Sequence, residues 1–275
     1  MLSNRKILHL AAIKILAVSE KICNFARKQL TVMFEYRGLQ DVLFMTLYGG
    51  VTILALLACL YLLFRRGNAF LGEEIRPCRR LRLWTAGLLA AMAASHVWWY
   101  GIGIWWLADD RLARNITTIM LDHLTLVPLA MGVLLAMLQD RRRPLWPWLI
   151  VQLPVVMYAV VGMNERSSNY GYVLPHYYQL AVIYMFVAYY IVALRQYHRW
   201  LLDNYADLCH KQVWQSLIFV AALFAVYMVY TSNAGELMRE YLSQVVSIGI
   251  IAFLLWRAET LQELEGEESE KEQQR

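Results

Sequence analysis

The stretch of sequence best suited to chemistry is residues 115–138, which read NITTIMLDHLTLVPLAMGVLLAML. It is long and apolar enough to cross a bilayer, yet Asp122 and His123 lie about a third of the way along it. A carboxylate at that depth costs about 2.5–3.5 kcal/mol, so such a residue usually faces the interior of a helix bundle. Three roles are open to this pair: a polar seam that holds helices together, a ligand or ion site, or a catalytic site.

Other polar residues of this stretch share a helical face with Asp122. Asn115, Thr118 and Thr125 are separated from it by seven, four and three residues, which are helical spacings. Pro128 follows on the same segment and cannot donate a hydrogen bond to the carbonyl four residues earlier. The sequence therefore predicts a kinked helix with one polar face.

Three more candidate residues come from neighbouring segments. His96 and Trp99 belong to an aromatic-rich stretch that ends on the same outer side as Asp122 and His123. His176 follows an outer connection, residues 163–179, whose Gly, Asn, Ser and Pro content predicts an irregular cap. We predict that these five residues bind a ligand in a cavity open to the outside. The alternatives are an interfacial aromatic belt for the tryptophans and helix packing for the histidines.

The same residue types also occur as metal ligands, since imidazole and carboxylate groups bind transition metals. The sequence has no HExxH motif and no pair of histidines four residues apart. It also has no paired carboxylates and no nucleophile with an adjacent base. We therefore predict no metal, no cofactor and no catalytic residue.

The composition indicates which elements position these side chains. The chain is 59% hydrophobic and 17% charged with a mean hydropathy of +0.40, whereas soluble domains contain about 25% charged residues. Seven apolar runs predict an all-α bundle of about seven transmembrane helices. They are residues 42–64, 83–107, 116–138, 145–163, 175–194, 213–231 and 241–256.

The distribution of basic residues predicts the orientation of this bundle. The loops that follow the first, third and fifth runs contain twelve Lys and Arg residues, and the alternate loops contain four. Because cytoplasmic loops carry the excess of Lys and Arg, we predict that the N-terminus lies outside and the C-terminus inside.

The sequence divides into three regions by composition. Residues 1–40 are a basic N-terminal extension, 41–256 form the seven-helix transmembrane domain, and 257–275 form an acidic cytoplasmic linker or tail. The extension places six Lys and Arg residues before Met33, on the outer side in this topology. We therefore favour Met33 as the natural start; an interfacial helix or a poor signal peptide are the alternatives.

Over about residues 40–265, the sequence resembles the membrane half of transmembrane AraC-type transcriptional regulators of Bacteroides-like bacteria. The resemblance is carried by HVWW at 96–99, by Asp122 with His123, by RQYHRWLLDNYADLCHKQVW at 195–214 and by the exit LLWRAETLQEL. It implies a seven-helix sensor in the bacterial inner membrane whose linker leads to a helix-turn-helix domain. No helix-turn-helix pair is found in this sequence, so we expect no direct nucleic acid binding by this chain.

Three functions follow as hypotheses. The first is a sensor module that binds a small ligand or a proton outside and passes a shift to its last helix and a separate cytoplasmic DNA-binding or signalling partner. The second is a small-solute transporter or channel subunit, although no inverted repeat is visible. The third, a membrane enzyme, has no motif in its favour. We predict the sensor, embedded in a lipid bilayer, with its ligand unknown and its oligomeric state open.

Overall fold

The computed structural model of the protein describes residues 39–65, 77–102, 110–206, 208, 211–231 and 241–264. Within these ranges the chain forms helices and no β-strand, which confirms the predicted all-α class. The helices are α1 (Leu39–Phe64), α2 (Arg79–Gly101), α3 (Arg111–Met137), α4 (Trp146–Asn164), α5 (Leu174–Asn204), α6 (Ser216–Thr231) and α7 (Ser243–Thr260), with a short π-helix at Asn169–Val173 before α5.

Each of the seven predicted spans overlaps one of these helices. Among the described residues, four segments are long and apolar enough to cross a membrane: Val42–Phe64, Leu112–Met137, Trp146–Asn164 and Asn169–Asn204. A fifth apolar segment, Ser216–Ala225, is shorter. Length and composition therefore support a membrane protein.

The chain divides into two compact units, Met1–Leu47 and Tyr48–Arg275. Of the first unit, the described residues are 39–47, which form the first turns of α1. The predicted extension up to residue 38, including Met33, lies outside the described residues, as do Trp105, Trp106 and the tail from 265 onwards. The second unit contains the remaining helices and every site discussed below.

α3 is the central helix of the second unit, because it packs against α2, α4 and α5. Its last turns and the two residues that follow are buried on every side, from residue 131 to residue 139. A helix that is buried all round belongs in the middle of a bundle. The helix continues on both sides of Pro128, which is itself buried.

Glycines allow the helices around α3 to approach closely. A Cβ atom at Gly162 of α4 would lie 2.6 Å from the Cα and N atoms of Gly171 in the π-helix. A Cβ at Gly132 of α3 would overlap the indole of Trp84 on α2. Small residues at such crossings are how membrane helices gain packing contacts.

The connection between α4 and α5, which the sequence predicts on the outer side, is more regular than the sequence suggests. The irregular part ends after Ser167, the π-helix follows, and α5 begins at Leu174. The prediction of an irregular cap over residues 163–179 is therefore wrong for the residues that follow Ser167. Pro175 does not break the helix, because it occupies the first turn of α5, where a backbone N–H has no helical partner.

Both ends of the bundle differ from the predicted boundaries. α2 begins at Arg79, so Arg82, which the sequence places in a loop, belongs to its first turn. α5 continues without interruption to Asn204, ten residues beyond the predicted end of the fifth span. α7 continues to Thr260, four residues beyond the predicted end of the last span.

Candidate functional site

Asp122 is bound by three side chains that lie on one face of α2. The Ser95 hydroxyl donates to Asp122 Oδ1 over 2.6 Å, and the Trp98 indole N–H donates to the same oxygen over 3.1 Å. The Trp99 indole N–H donates to Oδ2 over 2.7 Å. These four residues, which we call the Asp122 cluster, hold α2 and α3 together.

The arrangement follows from helix geometry. Ser95, Trp98 and Trp99 are offset by three and four residues, so their side chains leave α2 on the same side. Indole nitrogen is a donor only, and a carboxylate is an acceptor, so the groups are complementary. Of the roles open to Asp122, the contacts match those of a seam between helices.

Two other hydroxyl groups on the predicted polar face form hydrogen bonds within α3. The Thr118 hydroxyl donates to the backbone carbonyls of Arg114 and Asn115, and the Thr125 hydroxyl donates to that of Leu121. Such bonds within one helix satisfy the hydroxyl without a partner on another helix. The polar contacts between α2 and α3 are therefore concentrated at Asp122.

His96 joins α2 to α1 and α7. Its Nδ1 lies 2.8 Å from the carbonyl oxygen of Met92, which can only accept, so Nδ1 is the protonated nitrogen. Nε2 lies 3.1 Å from the side-chain oxygen of Gln244 on α7. A neutral imidazole accepts at Nε2 and requires the Gln244 amide to present its NH2 group; an imidazolium donates there. The Tyr48 hydroxyl of α1 donates to the His96 carbonyl over 2.8 Å.

His123 faces a different part of the bundle from Asp122, because consecutive residues leave a helix about 100° apart. Its side chain is buried, and it interacts electrostatically with His176 in the first turns of α5. We call these two histidines, one on α3 and one in the first turn of α5, the histidine pair. Two imidazoles can share a proton or donate to and accept from one polar ligand.

Two buried amides, one on α4 and one on α5, lack hydrogen-bond partners within the part of the chain that the structure describes. Gln179 follows His176 by three residues on α5 and is 0% exposed, and Gln152 on α4 is 1% exposed. Among the described residues, neither amide has a hydrogen-bond partner at its oxygen or its nitrogen. Because a buried unsatisfied polar group costs about 1–3 kcal/mol, these amides favour a polar ligand between the helices.

The five predicted site residues therefore fall into two places. Asp122 and Trp99 belong to one hydrogen-bonded cluster with His96 next to it, whereas His123 and His176 form the histidine pair. Among the described residues, no group of three or more His, Cys, Asp and Glu side chains is placed to hold a metal ion.

A second polar region, which the sequence does not reveal, surrounds the chain after α7. Residues 261–264, here called the exit segment, leave α7 in extended form. The Gln139 amide, just after α3, donates to the Gln262 carbonyl and accepts from the Leu264 N–H, both over 3.0 Å. The Cys78 N–H donates to the Leu261 carbonyl over 3.1 Å. The exit segment is thus bound by α3 and by the residue that precedes α2.

The last turn of α7 is held by charged side chains. Glu259, which is fully buried, pairs with Arg82 of α2 over 3.4 Å and accepts from the Tyr61 hydroxyl of α1 over 3.4 Å. Arg257 donates to the carbonyl of Gln212, before α6. Breaking a buried ion pair leaves an uncompensated charge, so these contacts fix where α7 ends.

Some of these residues carry a signal in the sequence, and others do not. The offsets of Ser95, Trp98 and Trp99 put three donors on one helical face, which predicts an acidic partner. Gln139, Gln179 and Gln244 give no such signal, because single glutamines have no pattern that marks burial.

The part of the chain that the structure describes is an all-α bundle with four helices long and apolar enough to cross a membrane and with polar side chains buried between helices. Comparison of the chain with protein-family models, with curated proteins and with solved structures gave no match. The resemblance to transmembrane AraC-type regulators therefore stays a prediction.

Proposed function

We propose that the protein is the membrane-embedded sensor module of a bacterial transcriptional regulator. It binds a small ligand or a proton at the outer end of the bundle and passes the change to its cytoplasmic exit segment. The observation that carries the proposal is the placement of α3. This helix bears His123 and Asp122 and is followed at once by Gln139, which binds the exit segment.

The proposed topology has seven membrane crossings in the bacterial inner membrane, with the N-terminus outside. α2 has 23 residues and α7 has 18, and these lengths correspond to about 34 Å and 27 Å. Both are close to the thickness of a hydrocarbon core, about 30 Å. The exposed apolar side chains of α1, such as Ile53 and Leu57, are of the kind that faces lipid.

Within the predicted ligand set, the histidine pair and Gln179 are the better candidates for direct ligand contact. Both oxygens of Asp122 already accept hydrogen bonds from α2, so a ligand there would have to displace them. The Gln179 amide still offers a donor and an acceptor. We assign Asp122, Trp99 and His96 the task of holding α3 in register with its neighbours.

Coupling between the two ends follows from the continuity of α3. Asp122 and Gln139 are about 25 Å apart, because an α-helix rises about 1.5 Å per residue. A ligand shifts the bundle only if it binds one arrangement of α3 better than another. Pro128 lies between the two ends and lacks one backbone hydrogen bond, which makes it the natural hinge.

The output is a change in how the exit segment is held. In one state Gln139 binds it through both the NH2 group and the oxygen of its amide; in the other state these bonds are weakened and the following linker is released. The proposed partner is a separate cytoplasmic DNA-binding or signalling protein that responds to the release of the exit segment.

The experiment is a thermal-shift screen of the detergent-solubilised protein against amino acids, monosaccharides, short carboxylic acids and a pH series. A compound that binds only the folded state raises the unfolding midpoint by mass action. We expect the rise to vanish in His176→Ala and Gln179→Ala but to persist in Val192→Ala, which shortens an exposed side chain on α5 outside both proposed sites. Equal responses in all three variants would contradict the site. Uptake of the stabilising compound into proteoliposomes would favour a transporter.

A further inference from the structure

A groove of about 450 Å³ lies beside the last turns of α5 and the residues that lead into α6. Its apolar lining includes Leu194, Leu201 and Val213, which are buried. Trp214 also lines it and is 56% exposed. The groove therefore offers an apolar surface next to an indole, a residue typical of membrane interfaces.

Basic side chains line the same groove. Arg195, His198 and Arg199 are exposed and lie on one face of α5, because they are spaced by three and four residues. None of the three has a hydrogen bond or an ion pair with any other part of the chain that the structure describes. Their donors are therefore available to an anion.

The length of α5 places these basic side chains at the membrane surface. The segment Asn169–Asn204 has 36 residues, so it is about 54 Å long, whereas a hydrocarbon core is about 30 Å thick. Counting 30 Å from Leu174, where α5 begins, reaches residue 194. Arg195 and Arg199 then lie just beyond the hydrocarbon, at the level of lipid headgroups.

We propose that this groove binds an anionic phospholipid at the cytoplasmic interface. Arg195 and Arg199 bind the phosphate, His198 contributes a further donor, and the exposed indole of Trp214 contacts the upper acyl chain. Basic pockets between membrane helices on the cytoplasmic side are suited to anionic headgroups. This inference rests on the membrane insertion of α5 and is independent of ligand sensing at the histidine pair.

Charge complementarity selects this occupant over a neutral lipid or an apolar helix. A zwitterionic lipid pairs its phosphate with its own choline cation and an apolar helix has no anion, so neither brings a net counter-charge to the two guanidinium groups. A guanidinium presents a planar set of N–H donors that matches phosphate oxygens, and it can bind two of them at once. A free phosphate ion shares this headgroup chemistry but gains nothing from the apolar lining.

The test measures binding to the purified full chain in a neutral detergent, with phosphatidylglycerol, phosphatidylcholine and inorganic phosphate as three separate probes. The readout is the number of bound lipids by native mass spectrometry together with the thermal unfolding midpoint. Arg195→Gln/Arg199→Gln is the test variant. Arg79→Gln/Arg142→Gln removes the same charge from exposed positions outside the groove and is the matched control.

We expect phosphatidylglycerol to bind the wild type and the control alike and the test variant about thirtyfold more weakly, since each cation near an anionic surface contributes about 1 kcal/mol. Arg195→Lys/Arg199→Lys should retain much of the binding, which separates lost charge from misfolding. Equal binding of phosphatidylglycerol and phosphatidylcholine, or equal binding to both double Gln variants, would overturn the proposal. An equal midpoint rise with inorganic phosphate would replace the lipid by a free phosphate anion. The failure of this test leaves the histidine-pair screen unaffected, because the two use different probes and variants.

Discussion

Replacing Asp122 should weaken the contact between α2 and α3 in a graded way. Asp122→Ala removes the acceptor of three hydrogen bonds, from Ser95, Trp98 and Trp99. Hydrogen bonds between membrane helices contribute about 0.6 kcal/mol on average and up to about 1.7 kcal/mol. The expected loss in the free energy of unfolding is therefore about 2–5 kcal/mol.

Asp122→Asn distinguishes the contributions of the two carboxylate oxygens to stability. Its single oxygen can replace Oδ1, which accepts from Ser95 and Trp98, but its NH2 group cannot accept the N–H of Trp99. We therefore expect a loss of only about 0.6–1.7 kcal/mol, the value of one bond. Trp99→Phe should remove the same bond from the other side.

The assay is equilibrium unfolding in mixed micelles, followed by circular dichroism, with the double variant completing a thermodynamic cycle. If the bond exists, the losses from Asp122→Asn and Trp99→Phe are less than additive. Trp256→Phe is the control, because this exposed tryptophan on α7 packs against Phe253 and Arg257 instead of Asp122. Full additivity, together with less than about 0.5 kcal/mol lost in Asp122→Ala, would refute the Asp122 cluster.

Two further predictions concern the packing and the outer end of the bundle. Gly162→Ala should lower the free energy of unfolding by about 1–3 kcal/mol, because its Cβ would meet the backbone of Gly171. Gly249→Ala, where nothing lies within 4 Å, should be neutral or stabilising, and a chemical unfolding titration of both variants compares them. The backbone N–H of Ala113, more than any other group, holds the pKa of Asp110 below its ordinary value. Since this contribution exists above the unfolded pKa of about 3.9 and disappears as the pH falls through the folded pKa, the stability difference between wild type and Asp110→Ala should shrink below about pH 4; a difference that grows there would contradict it.

The sequence predicts the helices well because their signal is local. Each predicted span is a run of apolar residues, and the run itself indicates where the helix lies and how long it is. The helix boundaries are harder to predict. Arg82 resembles a basic loop residue in the sequence, but it belongs to α2, where it forms a buried ion pair with Glu259. That contact joins residues far apart in the chain, so no local sequence pattern predicts it.

The candidate site was predictable in part for the same reason. The depth of Asp122 and His123 in an apolar run marks them as buried, but not which helix each one faces. Adjacent residues leave a helix in different directions, so one contacts α2 and the other interacts with His176. The binding of the exit segment by Gln139 depends on the folding of the whole bundle and leaves no trace in the sequence.

The central claim is that α3 couples the outer polar residues to the exit segment. Hydrogen–deuterium exchange of the peptide that contains Leu264 measures this coupling, because the Leu264 N–H is protected by Gln139. Gln139→Ala, which removes that acceptor, sets the scale for a released exit segment.

The account predicts that His123→Ala and Asp122→Asn, each about 25 Å away along α3, raise exchange of this peptide toward the Gln139→Ala level. Gly249→Ala, a change in open space on α7, should leave it at the wild-type level. Wild-type exchange in both outer variants, with fast exchange in Gln139→Ala, would contradict the account: the outer polar residues would then pack helices without controlling the output.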